Sequence, residues 1–330
     1  MNVLSLFDGM SCGQQALERS GVRVDNYFAS EIDKYAIKVT QANYPKTNQL
    51  GSVIDVDGYS LPNIDLLLGG SPCQSFSFAG KRKGMSTKDE QEILTLEHYL
   101  ELKSEGFEFE GQSYLFWEYM RLLKEVKPKY FLLENVMMGD KWEKILSKAI
   151  GVNPIEINSS LVSAQNRRRL YWTNIGMIPG GLFGDLQSII QQPKDKGILL
   201  KDVIQEEVDD KYYLKDDSFV FDRIKNDHPF TPRIPKVNEK SNCLMVGGSG
   251  CNDLINDCGN VDKSPTIKSS LGSGNEIILN KIRRLTPVEC ERLQTVKDNY
   301  TDHVSDTQRY KMLGNGWTVD VISHILNYIK

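Results

Sequence analysis

The feature that most constrains the fold is a regular alternation of short apolar runs with helix-favouring stretches up to residue 175. Apolar runs of strand length lie at Asn2–Phe7, Arg23–Ser30 and Ile64–Leu68, and helical stretches lie between them at Gln14–Ser20 and Lys34–Asn43. A strand–helix–strand rhythm of this kind predicts parallel strands with helices packed on both faces of the sheet.

The same rhythm continues further along the chain. The nearly continuous apolar run Pro128–Asn135 is typical of a strand that is buried on both faces. Helical stretches precede and follow it at Leu115–Val126 and Lys141–Ile150, and Leu170–Ile175 is a further strand. We therefore predict an α/β fold for this part of the chain.

Composition divides the chain into three regions. Residues 1–176 form the predicted α/β domain, with an acidic, helix-prone insertion at 86–112. Residues 177–281 are rich in Gly, Asn, Asp, Ser and Pro, which predicts a smaller, irregular domain. Residues 282–330 regain helical signals at Pro287–Leu293, Asp306–Leu313 and Thr318–Ile329.

The overall composition is that of a globular protein. The chain has 330 residues, of which 40% are hydrophobic and 25% charged, and these values exclude disordered and fibrous classes. Six cysteines are too few for a disulfide scaffold. No apolar run approaches the roughly 20 residues of a membrane span, and the first residues lack the features of a signal peptide. We expect a cytoplasmic protein with reduced thiols.

Small, polar and acidic residues follow the predicted strands directly, where ligands of open α/β sheets bind. The turn Leu6–Gly13 lets the backbone approach a ligand, and Glu31 is placed to bond a ribose diol. Together they favour a nucleoside-containing cofactor, although each alone fits an ordinary turn or a surface carboxylate. Cys73 follows a Gly-Gly-Ser-Pro turn, so it fits both a nucleophile and a small buried side chain. Glu134 ends the next predicted strand and could face it.

Seven motifs occur in an order that resembles one known family. They are LFDGMSCG, SEID, GGSPCQSFS, ENV, QNRRRLY, RRLTPVECERLQ and GNGWTVDVI. The set resembles the C5-cytosine-specific DNA methyltransferases of prokaryotic or phage type, and two stretches also look like the animal de novo DNA methyltransferases. The resemblance implies a Rossmann-like, S-adenosylmethionine-dependent methyltransferase sheet. It also implies a target-recognition domain at 177–281 and C-terminal helices that return to the catalytic domain.

The resemblance implies a DNA (cytosine-5-)-methyltransferase that flips a cytosine out of duplex DNA. Two alternatives stay open: a tRNA cytosine-5 methyltransferase of the same fold, and a catalytically inactive DNA-binding regulator. The long region between QNRRR and RRLTP fits a DNA recognition domain better, and intact catalytic motifs argue against an inactive scaffold. We expect a monomer in a bacterial or phage-infected cell, with double-stranded DNA as partner and a cognate restriction endonuclease as a further candidate.

Four residues match catalytic positions of the family. Cys73 matches the thiolate that adds to cytosine C6 and makes C5 nucleophilic. Glu134 matches the carboxyl group that protonates or hydrogen-bonds N3. Arg167 and Arg169 match the arginines that hold the base, its phosphate and the closed loop.

S-adenosylmethionine is the implied cofactor, and no metal is expected. The positions that match its binding site are Phe7, Gly9, Ser11, Cys12, Gly13, Glu31, Ile32, Ser52, Val53, Pro72, Leu115, Asn315 and Trp317. Ser52 stands where the family often has an adenine-binding Asp, and nearby Asp55 is the alternative. Asp8 stands where Ala is commoner, and we expect this change to be harmless.

DNA contacts are implied in the loop Gln74–Gly84, in QNRRR and in the stretch Lys263–Gly274. The matching positions are Gln74, Ser75, Lys81, Arg82, Lys83, Gln165, Thr266, Gly272 and Gly274. Cys243, Cys251 and Cys258 lack CxxC pairs and a nearby His, which argues against zinc. For the insertion 86–112 the default expectation is a solvated segment, with a lid or a partner surface as alternatives.

The net charge of −4 argues at first against a nucleic-acid partner. Two blocks carry the acidity: 86–112 has eight acidic residues and two lysines, and 202–217 has seven and two. The remaining residues carry a net charge of +7, with basic residues at or beside the motifs. We therefore expect salt to weaken DNA binding despite the acidic pI, and the acidic blocks to lie off the DNA path.

Overall fold

The computed structural model describes residues 1–72, 85–88, 91–180, 185–213, 238–241, 254–256 and 282–329. The chain divides into two compact units. The first unit comprises Met1–Ile157, Arg168–Pro193 and Val319–Lys330, and the second comprises Asn158–Arg167 and Lys194–Thr318. The domain boundaries 1–176, 177–281 and 282–330 stay a prediction.

A seven-stranded sheet forms the centre of the α/β fold. Its strands are β1 (Asn2–Leu6), β2 (Asn26–Ser30), β3 (Asn48–Gln49), β4 (Leu66–Gly70), β5 (Tyr130–Val136), β6 (Ile155–Asn158) and β7 (Arg168–Thr173). Their order in the sheet is β3-β2-β1-β4-β5-β7-β6. Strands β1 to β5 pair in parallel with their neighbours, as predicted. The predicted α/β, Rossmann-like fold class is confirmed.

Strand β7 departs from the predicted parallel pattern because it runs antiparallel to β5. Only about nine residues separate β6 from β7, fewer than the dozen or more that a parallel crossover needs. A short connection of this kind favours a reversal of the chain, and the antiparallel pairing of β7 with β5 makes the sheet mixed rather than parallel throughout.

Eight helices belong to the described residues. They are α1 (Cys12–Arg19), α2 (Lys34–Asn43), α3 (Leu96–Ser104), α4 (Phe116–Val126), α5 (Asp140–Ile150), α6 (Pro287–Leu293), α7 (Asp306–Asn315) and α8 (Val319–Leu326). In the first unit, α4 presents the buried face Phe116, Trp117, Tyr119, Met120 and Leu122 to the core. The core also includes the fully buried strand residues Leu4, Leu6, Leu67 and Leu133. No helix in the described ranges is long and apolar enough to cross a membrane.

The second unit has a short antiparallel pair, β10 (Leu254–Asn256) and β11 (Ile282–Arg284), followed by α6 and α7. Helix α6 starts at a capping box, in which the Thr286 hydroxyl accepts from the Glu289 N–H and the Glu289 carboxylate accepts from the Thr286 N–H. The same carboxylate pairs with the fully buried Arg283 at 2.8 Å. A further hairpin, β8 (Met177–Gly180) with β9 (Asp185–Ser188), belongs to the first unit.

Helix α4 packs directly on the backbone of β4. A Cβ atom placed on Gly69 would lie 2.7 Å from Cδ2 of the fully buried Tyr119 ring. A glycine inside a strand commonly marks such a close approach of another element. Gly69 therefore sets the distance between the helix and the end of β4, next to the turn that leads to Cys73.

We predict that Gly69→Ala lowers the free energy of unfolding by about 1–3 kcal/mol, because the new methyl group overlaps the Tyr119 ring. Urea denaturation followed by fluorescence measures the change. Gly139→Ala is the matched control, since a Cβ there meets no atom within 4 Å. Equal stability of the two variants would contradict this account of the packing.

Candidate active site

The carboxyl ends of four neighbouring strands meet at one edge of the sheet. The register pairs Leu6 with both Ser30 and Gly69, and it pairs Gly70 with Glu134. The segments that follow β1, β2 and β4 and the end of β5 therefore lie side by side. In open α/β sheets this edge is where ligands bind.

Glu134 and Arg169 form an ion pair at the end of β5. Glu134 lies opposite Tyr171 of β7, and Arg169 lies opposite Val136. A diagonal offset of two residues places both side chains on the same face of an antiparallel pair. The Arg169 Nε lies 3.0 Å from the Glu134 Oε1, and the two side chains are only 14% and 11% exposed. The reversal of β7 is therefore what brings this guanidinium to the carboxylate.

Asn135 fixes the turn that follows the neighbouring strand β4. Its side-chain amide donates to the Ser71 hydroxyl at 3.0 Å, and both residues are buried. The side-chain oxygen Oδ1 of Asn135 accepts from the backbone N–H of Val136 at 2.8 Å. The contact holds the Ser71-Pro72 turn beside Glu134. Neither Ser71 nor Asn135 was among the predicted site residues, although both lie within the GGSPC and ENV motifs.

Several predicted site residues lie outside the described residues. They are Cys73, Gln74, Ser75, Lys81, Arg82, Lys83, Thr266, Gly272 and Gly274. The turn Ser71-Pro72 is described and leads directly to the first of them. The roles of these residues stay predictions.

The loop after β1 has an unusual backbone. Phe7, Gly9 and Ser11 all have positive φ angles of 57–59°. The Glu31 carboxylate holds this loop, because Oε2 accepts from the Gly9 N–H at 2.8 Å. Its Oε1 accepts from the N–H groups of Ile32 and Asp33, each at 2.8 Å. The apolar Ile32 side chain beside it is 72% exposed.

The Asp8 side chain also holds the loop after β1 through hydrogen bonds. Its carboxylate accepts from the Tyr27 hydroxyl at 2.6 Å and from the Ser11 hydroxyl. The Thr40 hydroxyl and the Gln14 amide donate to the Ser11 oxygen at 3.3 and 3.2 Å. Burial of the carboxyl group raises the pKa of Asp8 to about 6, against the lowering effect of these hydroxyl donors. The Asp8 side chain therefore takes part in fixing the loop.

The remaining cofactor positions of the first unit differ in exposure. Ser52 is half-buried, and its hydroxyl oxygen accepts from the Ile54 N–H at 3.3 Å. Val53 is 6% exposed, and its carbonyl accepts from Arg121 Nη2 at 3.0 Å. Pro72 and Leu115 are half-buried, whereas Ser11, Cys12 and Gly13 are buried.

Three predicted positions in the second unit meet at the GNGW segment. Arg167 is 3% exposed, and its guanidinium donates to the carbonyls of Gly314 and Gly316 at 3.2 and 3.0 Å. Gln294 donates to the Leu313 carbonyl at 2.7 Å, a contact that the sequence did not single out. Within this segment Asn315 is exposed and Trp317 half-buried. Arg167 thus holds the backbone of the segment.

Gln165 is fully buried, and within the part of the chain that the structure describes neither its amide nitrogen nor its oxygen has a hydrogen-bond partner. Buried amides normally find partners, so an unsatisfied one is a candidate for binding a ligand. Among the described residues, no group of three or more His, Cys, Asp or Glu side chains could hold a metal ion.

A family model, C-5 cytosine-specific DNA methylase, matches residues 1–330. The chain belongs to this family. It is 31% identical over 326 residues to the orphan methyltransferase M.SPRI of Bacillus phage SPR, covering 86% of this chain and 67% of the relative. It is 29% identical over 320 residues to the type II methyltransferase M1.ScrFI of Lactococcus lactis subsp. cremoris, covering 92% and 71%.

The fold of the methylase is also similar to that of a solved methyltransferase. The Entamoeba histolytica methyltransferase EhMeth superposes with a TM-score of 0.69 over 99% of this chain and 97% of that chain, at 16% identity. The predicted family resemblance and the predicted DNA cytosine methyltransferase class are both confirmed. The individual site residues stay predictions.

We predict that Asp8→Asn changes the pH dependence of stability. Between pH ~4 and ~6 the native state keeps a proton that the unfolded chain has released, so native stability falls as pH rises through this range. The variant lacks this effect. Relative to the variant, the wild type should lose about 2 kcal/mol of unfolding free energy between pH 4 and pH 7.

Urea denaturation at each pH measures this loss. Asp25→Asn is the control: that carboxylate is exposed, and the N-terminal ammonium lowers its pKa, so the sign is opposite. Parallel pH curves for the wild type and Asp8→Asn would show that Asp8 is not perturbed.

Proposed function

We propose that this methylase transfers a methyl group from S-adenosylmethionine to C5 of a cytosine in duplex DNA. The observation that carries the proposal is the Glu134–Arg169 ion pair, set beside the Ser71-Pro72 turn that leads to Cys73. A carboxylate buried at the ligand edge of the sheet and held by a guanidinium is placed to meet one edge of a base. The target cytosine must leave the duplex to reach it.

Cys73 and Glu134 share the activation of the base. The Cys73 thiolate forms a bond to C6, and the electron pair of the C5–C6 double bond becomes available at C5. Glu134 provides a proton or a strong hydrogen bond at N3, which withdraws charge from the ring. Arg169 holds the Glu134 carboxyl group in position through their 3.0 Å contact. After methylation a general base removes the C5 proton, the proton at N3 returns to Glu134, and the C6–sulfur bond breaks to release the thiolate.

The loop after β1 fits an adenosyl cofactor. A Cβ on Gly9 would meet no atom of the described residues within 4 Å, so these residues leave open space beside the loop. The exposed Ile32 is available to pack on an adenine ring. A carboxylate has about four acceptor positions, and the three protein N–H groups bonded to Glu31 leave about one of them for a ribose hydroxyl. When bound, S-adenosylmethionine supplies the electrophilic methyl group.

DNA is the proposed partner of this chain. The family model names DNA as the substrate of the family, and the two relatives are a type II and an orphan methyltransferase. We propose Gln165 and the predicted basic residues Lys81, Arg82 and Lys83 as DNA contacts. A cognate endonuclease, a monomeric state and a location in the cytoplasm of a bacterial or phage-infected cell belong to the proposal.

Transfer of radiolabelled methyl groups to duplex DNA and to tRNA tests the substrate. We expect label in DNA and a covalent adduct with 5-fluorocytosine DNA that Cys73→Ala abolishes. Glu134→Gln should lower kcat by about 10²–10⁴-fold with an unchanged KM for S-adenosylmethionine, because the change affects proton transfer at N3. Label in tRNA alone would replace the proposed substrate, and full activity of Cys73→Ala would remove the proposed nucleophile.

We predict that Gln165→Met leaves stability unchanged or raises it, because the unpaired buried amide costs about 1–3 kcal/mol. The same change should raise the Kd for DNA at least about tenfold if Gln165 binds it. Thermal melting and a DNA titration separate the two effects. Gln294→Met is the control, since its bonded amide makes that change destabilising. Unchanged DNA affinity of Gln165→Met would exclude the binding role.

A further inference from the structure

The acidic insertion 86–112 is anchored in the first unit by a helix with a buried face. Its helix α3 buries Leu96, Tyr99 and Leu102. The Tyr99 ring lies 5.0 Å from that of Phe109, which stacks at 4.6 Å on Tyr114, one residue before Leu115. The described part of the insertion is therefore solvated on one side only: most of its residues are exposed, but its apolar face is buried.

The insertion also supplies two of the donors to a fully buried carboxylate, Glu118 of α4. Its Oε1 accepts from the Tyr99 hydroxyl and from the Lys103 ammonium at 2.5 Å. Its Oε2 accepts from Nε of Arg121 at 2.6 Å. A buried carboxylate is tolerated only when it is paired and hydrogen-bonded. Tyr99 and Lys103 occupy one oxygen of Glu118. The other oxygen therefore accepts from a single guanidinium nitrogen of Arg121.

Arg121 uses its other two nitrogens elsewhere. Nη1 donates to the Glu125 carboxylate at 2.8 and 2.9 Å, and Nη2 donates to the Val53 carbonyl at 3.0 Å. The Glu125 carboxylate in turn accepts from the N–H of Gly58 at 3.0 Å. Helix α4 thus holds both ends of the segment 53–58, which begins beside Ser52.

We propose that the acidic insertion positions the adenine-binding segment of the cofactor site through the chain of contacts Tyr99/Lys103–Glu118–Arg121–Val53. The inference rests on the proposed function and on the family resemblance, which implies that Ser52 and Val53 belong to the cofactor site. Without the insertion's two donors, the Glu118 carboxylate would compete for the Nη2 of Arg121, and the Val53 carbonyl would lose its donor. Tyr99, Lys103 and Arg121 are positioning residues in this scheme.

Calorimetric binding of S-adenosylhomocysteine without DNA tests the proposal, together with KM and kcat for S-adenosylmethionine. We expect Tyr99→Phe, Lys103→Met and Arg121→Lys each to raise the Kd and KM about three- to tenfold, with kcat at saturating cofactor unchanged within about twofold. Tyr99→Phe combined with Arg121→Lys should raise the Kd by less than the product of the two single effects, because both changes act on one contact chain.

Lys141→Met is the matched control. It breaks a 2.5 Å ion pair with Glu92, which also joins the insertion to a helix, but this pair is exposed and does not reach Glu118. Cofactor affinity should be unchanged in this variant. Lower melting temperatures of the test variants with wild-type Kd and KM would overturn the proposal and leave a purely structural role. Wild-type protein that fails to bind S-adenosylhomocysteine would overturn the proposed function itself.

Discussion

The parallel pairing of β1 with both of its neighbours is the constraint on which the rest of the first unit depends. It aligns the ends of β2, β1 and β4, and β5 joins them through β4. Because parallel strands end at the same edge, the Glu31 carboxylate can bond the loop after β1, and Glu134 lies beside the turn after β4. Residues that are far apart in sequence therefore lie at the same edge of the sheet, and most of them need no direct bond to one another.

Buried carboxylates in both units are stabilised by specific partners. Glu134 has Arg169, Glu118 has Tyr99, Lys103 and Arg121, and in the second unit Glu289 has Arg283. Each of these carboxylates would be costly to bury alone. Asp8 is the contrasting case, because it accepts hydrogen bonds from hydroxyl groups and has no cation among its named partners. These bonds offset the cost of burial only in part, so the pKa of Asp8 is raised.

Much of the fold could be predicted because it rests on local periodicity. The bounds of helices Lys34–Asn43 and Pro287–Leu293 agree with the prediction, and apolar runs located β1, β2, β4 and β5. Strands β3 and β6 were missed, because two and four residues carry too little pattern and depend on the neighbouring strand. The carbonyl partners of Arg167 lie 147 and 149 residues away, and Tyr99 and Lys103 lie 19 and 15 residues from Glu118, so no local pattern could indicate these contacts.

The contact between the Tyr119 ring and Gly69 has a mechanical consequence. No side chain separates helix from strand here, so the ring rests on the backbone itself and leaves no room for one element to slide on the other. Helix α4 and strand β4 are accordingly held in a fixed relation to each other. A helix held in this way moves as one body with the strand, so a displacement at one end of the helix is carried to its other end.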